Sequence, residues 1–81
     1  MPARLRDAKR KIVGSKRTYR ALKEGQVAVC YLALDAESRV TEPLRRQCIE
    51  VGLEPIYVDS MKDLGRYCGI DVGAAAAAIL K

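Results

Sequence analysis

Val27-Ala28-Val29-Cys30-Tyr31-Leu32-Ala33-Leu34 is an unbroken apolar run set between Gly25 and Asp35. Eight residues is long for a strand and short for a helix. The β-branched start and the turn residues on either side favour a strand buried on both faces, as in a parallel sheet. A polar loop, Asp35 to Val40, follows. Thr41 then reads as the N-cap of a helix in which Pro43 is tolerated in the first turn, with Leu44, Cys48 and Val51 on the inner face and Ile49 beside them. Gly52 closes it. Glu54 to Val58 reads as a second, short strand, with Pro55 confined to its start or to a sheet edge. Ser60, with Asp63 three residues on, is a capping signal for a helix that buries Met61, Leu64 and Cys68 and stops at Gly69. Gly65 inside that helix costs about 1 kcal/mol relative to Ala, which makes sense where something approaches the backbone closely.

Beyond the loop Ile70-Asp71-Val72-Gly73 lies an alanine run ending in Ile79 and Leu80. Propensity alone makes it a helix, yet it is too short to stand as one by itself. After strand, helix, strand, helix the architecture calls for a strand, so 74–75 is read as a turn and 76–80 as a strand whose small side chains let helices close on both sides. Upstream of Val27, a helix over about 15–24 ends at Gly25, with Leu22 and either Tyr19 or Thr18 buried. Residues 3–12 read as an earlier helix, with Leu5, Ala8 and Ile12 as a narrow apolar stripe among basic residues. The whole is an α/β sandwich with a small, largely parallel sheet and helices on both faces.

Length bounds the rest: 81 residues make one domain, 1–81, with a small core. Its charge is uneven. Residues 1–24 carry nine Lys/Arg against two acids, whereas the remaining 57 carry six against eight. A basic end of this kind suits nucleic acid or an anionic surface. Nothing approaches a membrane span, and the basic N-terminus lacks the apolar core of a secretory signal. Cys30, Cys48 and Cys68 include no CxxC pair and the chain has no histidine, so neither a disulfide framework nor a zinc site fits. Free thiols in a reducing cytoplasm are expected, with no metal and no cofactor.

The helix start Gly14-Ser15-Lys16-Arg17-Thr18-Tyr19-Arg20 breaks a rule. With Ser15 as N-cap, Lys16 and Arg17 fall where backbone N–H groups already make a partial positive charge, each opposing the helix dipole by roughly 0.3–1 kcal/mol. Arg20 shares their face, and like charges at this spacing repel. Cations gathered on bare N–H groups describe a site for an anion, phosphate first among them. A solvated basic helix end is the plainer alternative.

Two blocks together carry a resemblance. Gly14-Ser-Lys-Arg-Thr-Tyr-Arg-Ala-Leu22 resembles the Gly-Thr-Asn-Glu-x-x-Lys helix start of the kink-turn RNA-binding ribosomal protein superfamily. Leu64-Gly-Arg-Tyr-Cys-Gly-Ile-Asp-Val72 resembles that family's Leu-Gly-x-x-Cys-Gly-Ile-Glu-Val segment and is the more specific of the two. In length the chain is most like the short bacterial, ribosomal-protein-like members. The resemblance implies a three-layer α/β/α sandwich with a small four-stranded mixed sheet, adds a strand near Lys11–Val13, and supports a strand at 76–80. It also implies binding of a kink-turn, a sharply bent duplex with a bulge beside sheared G·A pairs. The helix from Ser15 would enter the groove there, and Ile70-Asp71-Val72 would cover the nucleotide pushed out of the bulge. An unbent A-form major groove is too narrow to read, so a protein recognises a distorted site by shape, and cations offset the crowded phosphates.

Carried over residue by residue, Gly14 matches, Ser15 replaces Thr, and Arg20 keeps the charge of the family's Lys. Lys16 stands in place of Asn, and Arg17 in place of Glu, which reverses both charge and hydrogen-bonding role. Arginine cannot accept a bond from a base amino group, so Arg17 is assigned to phosphate or to guanine acceptors. Lys11 is a secondary phosphate candidate. The expected RNA contacts are therefore Lys11, Gly14, Ser15, Lys16, Arg17, Arg20, Ile70, Asp71 and Val72, in a cytoplasmic, non-enzymatic, monomeric protein that binds ribosomal or another structured RNA and no membrane.

Two rivals stand beside this. Asp35 and Asp59 end two expected strands, where α/β enzymes place catalytic groups, but no P-loop, GxGxxG or nucleophile–base pair accompanies them. The other rival is a protein-interaction or anionic-surface module using the basic N-terminal helices. Tyr19 is read as a partly buried packing residue, with stacking on a base as its alternative.

Overall fold

The structure, a computed structural model, describes residues 9–81. In chain order these form β1 (Lys11–Val13), α1 (Ser15–Lys23), β2 (Val27–Ala33), α2 (Ser38–Glu50), β3 (Ile56–Val58), α3 (Met61–Cys68) and β4 (Ala76–Leu80). The strands make one sheet in the order β1-β4-β2-β3. β4 is antiparallel to both β1 and β2, and β3 is parallel to β2. The sheet is thus mixed rather than largely parallel. Because β4 alone runs against the other three, the ends of β1, β2 and β3 and the start of β4 all meet at one end of the sheet.

Alternation along the central strands sorts two cores. Cys30 and Leu32 of β2, with Ala76 and Ala78 of β4, face α1 and α2, meeting Ala21, Leu22, Leu44 and Cys48. Tyr31, Ala33 and Ala77 face the other way, against Leu64 and Cys68 of α3. Alanine at three successive positions of β4, all fully buried, is what lets helices lie close on both sides. That is the strand at 76–80 expected from architecture against propensity. All three cysteines are free and buried. Cys30 donates its S–H to Cys48, and that bond, followed by burial, pushes the Cys30 thiol far up.

Local differences have local causes. The expected helix at 3–12 runs over residues 3–8, which lie outside the described residues. At its other end, Lys11 and Ile12 are in strand, paired with Ile79 and Ala78. α2 begins at Ser38, not after Thr41, because Glu37 is extended and its carbonyl accepts from both Val40 and Thr41. Thr41 is therefore inside the first turns, and Pro43 lies within the helix. The far end of α2 is less buried than its spacing suggests: Ile49 is 58% and Val51 39% exposed. Ser60 does cap α3, its Oγ accepting from Asp63 N at 3.0 Å, and Gly69 ends it in the left-handed region. No described helix is long and apolar enough to cross a membrane.

Candidate nucleic-acid interface

The tip of α1 is built by Gly14. Its φ of 114° and ψ of 146° suit a residue without a side chain, and it, rather than Ser15, is the N-cap. Ser15 is the first helical residue, and no side chain caps the helix. Among the described residues no side chain accepts from the backbone N–H groups of the first turn, and no acid sits in that turn. Lys16, Arg17 and Arg20 are exposed around this tip, and among the described residues none of them is in an ion pair. Beneath them Thr18 is fully buried, its hydroxyl without a partner among the described residues. The helix is pinned from below by Thr18, Ala21 and Leu22, which leaves the cations free to face outward.

The second segment rests on α3. Ile70 is half-buried against the Tyr31–Leu64 core, and its N–H donates to Gly65 O at 3.0 Å. Asp71 and Val72 turn outward, Val72 with 69% of its surface exposed. A Cβ at Gly65 would lie 2.0 Å from Val72 O, so the close approach expected at Gly65 comes from this loop. Ala74 N donates to Met61 O at 3.0 Å and completes the bracing.

These two segments share one end of the molecule. Gly14 N donates to Ala76 O at 2.9 Å, directly continuing the β1–β4 pairing in which Val13 faces Ala77. Ala76 is four residues past Val72. The turns after β2 and β3 gather at the same end: Leu34 N donates to Val58 O at 2.8 Å, and Asp35 Oδ1 accepts from Met61 N at 2.7 Å. Asp35 thus serves α3 as a backbone partner. Among the described residues no group of three or more His, Cys, Asp or Glu could hold a metal.

Lys11 opens β1, three residues before Gly14. It is half-buried on edge strand β1, and on the alternation of that strand it shares the α3 face with Val13, whereas Ile12 packs toward α1. Its charge draws the Cys68 thiol down against the stronger upward push of burial. The basic residues 4 and 6, on which the surface-binding rival leaned, are outside the described residues. Tyr19 is 37% exposed and lines a groove between α1 and α2 with Lys23, Arg39, Val40 and Pro43. Sequence reading missed Arg39, Val40 and Pro43 as a surface with α1, since nothing in the linear order shows that the two helices lie side by side.

Residues 2–81 match the ribosomal protein L7Ae/L30e/S12e/Gadd45 family. The chain is 48% identical over 69 residues to an RNA-binding protein of Caldanaerobacter subterraneus, covering 85% of this chain and 84% of that one. It is 45% identical over 69 residues to an RNA-binding protein of Bacillus pumilus, with 85% and 84% covered. In fold it is similar to the 15.5kD RNA binding protein of Giardia lamblia, with a TM-score of 0.87 at 21% identity over 99% of this chain and 68% of that one. The two blocks that carried the resemblance, the sandwich and the relatives agree: this chain belongs to the ribosomal protein L7Ae/L30e/S12e/Gadd45 family.

Proposed function

We propose that this protein binds RNA at a kink-turn and holds the kink closed, acting on ribosomal or another structured RNA as a cytoplasmic monomer without catalysis. The observation that carries this reading is the hydrogen bond from Gly14 to Ala76, which sets an uncapped, cationic helix tip beside an exposed apolar loop. A sharply bent RNA offers the complement of both. Its converging phosphates repel one another and need cations, and its extruded base needs an apolar cover. Lys16, Arg17 and Arg20 supply the first, Val72 the second, with Ile70 holding the loop in place and Asp71 offering an acceptor to a base edge. The names of the relatives support RNA as the ligand, and the basic tip supports phosphate as the group met by Arg17.

A gel-shift comparison of a kink-turn RNA with a straight duplex of equal length tests the proposal. Preference for the kinked RNA is expected; equal affinity overturns it. With Lys16, Arg17 and Arg20 each neutralising a phosphate, log affinity should fall against log salt with a slope of about −2 to −3. A flat response would point to a protein partner instead.

A further inference from the structure

Behind the α1 tip, the outward faces of α1 and α2 meet in a groove of about 650 Å³, a size typical of small-ligand sites. Its lining combines two chemistries. Lys16, Arg20, Lys23 and Arg39 stand around it against Glu24 alone, so it favours an anion. Its apolar part is made by Val40, Pro43 and Leu44 with the ring of Tyr19. Lys23 Nζ lies 5.6 Å from the centre of that ring, which puts a cation and a π surface side by side. Arg39 pairs with Glu37 at 3.0 Å, with both side chains mostly in solvent, and such a pair is weak enough to yield to a phosphate.

Cations beside apolar and aromatic side chains fit a nucleotide, with its phosphate on the cations and its base on the ring. Position selects the source. Ser15 and Lys16 border the groove and also form the helix tip, with Arg20 one turn behind, so a strand leaving the tip has the groove directly in its path. Further along, around Pro43 and Gln47, Glu42 and Glu50 join the lining and the excess of positive charge disappears. We infer that the α1–α2 groove holds an unpaired nucleotide of the bound RNA outside the kink, its base against Tyr19 and Pro43 and its phosphate among Arg20, Lys23 and Arg39. This rests on the RNA-binding function proposed above.

The test compares a blunt kink-turn RNA with the same RNA carrying a short unpaired tail at each strand end in turn. One tail position should tighten binding by roughly fivefold to a hundredfold, the range of one base stacking on an aromatic ring. Tyr19→Ala should lose that gain while binding the blunt RNA as the natural protein does, and Tyr19→Phe should keep it. If no tail position improves affinity, or if Tyr19→Ala retains the whole gain, the inference is overturned and the groove is left to a protein segment. Failure of the underlying function reads out separately, as blunt kink-turn RNA bound no better than straight duplex.

Discussion

Val72 O occupies the space in which a side chain at Gly65 would begin, 2.0 Å from the position of its Cβ. The loop that precedes β4 is therefore seated on the backbone of α3, not merely tethered at its ends. Gly65→Ala gains helix propensity of about 1 kcal/mol but must push this backbone away, an overpacking cost of roughly 1–3 kcal/mol. Thermal denaturation should show a lower Tm for Gly65→Ala, and affinity for kinked RNA should fall with it as the loop is displaced. A Tm at or above that of the natural sequence would mean the loop is free to move.

The cations at the α1 tip oppose the helix dipole. Lys16 opposes the helix dipole and has no partner acid nearby in its turn. Lys16→Glu should therefore raise stability by about 1 kcal/mol, through removal of one unfavourable charge and gain of a favourable one. The same change should weaken RNA binding. Denaturant titration and RNA titration on one preparation check both signs, and a variant that is less stable as well as weaker in binding would contradict the dipole argument.

Arg20 is exposed one turn behind the tip. Arg20→Ala should cost roughly 1–3 kcal/mol of binding if it meets charged RNA groups, with a shallower salt dependence and little change in stability. Unchanged affinity would remove it from the interface.

Val72 is exposed and, among the described residues, belongs to neither core. Val72→Asp should leave the fold intact and impair kinked RNA far more than straight duplex, because only the kink presents an unstacked base to cover. Equal losses on the two RNAs would mean the loop is not a lid.

Much of this fold is legible in the sequence. β2 announces itself by an apolar run too short for a helix, α3 by the Ser60–Asp63 cap and its Gly69 stop, and β4 by the need for a narrow strand between helices. Gly65 was readable as a site of close approach, though not what approaches it. What stayed hidden depends on backbone states the side chains do not encode. Gly14 rather than Ser15 caps α1 because its φ of 114° is open to glycine, and an N-cap need not carry a capping side chain. α2 starts three residues before Thr41 because Glu37, a poor cap by type, supplies its carbonyl from an extended conformation. The α1–α2 groove could not be read at all, since Tyr19 and Pro43 meet only once the sheet has set the two helices side by side. The nearness of the α1 tip and the loop before β4 likewise follows from β4 running against β1, a fact of topology that no local pattern carries.

The central claim is that one surface grips both a phosphate-rich turn and an extruded base, and so closes the kink. A kink-turn RNA labelled with a fluorescent donor and acceptor on its two arms measures this directly, in buffer without divalent ions so that the free RNA stays extended. Adding the protein should raise energy transfer to that of the closed form. Binding with transfer unchanged from the extended RNA would contradict the account.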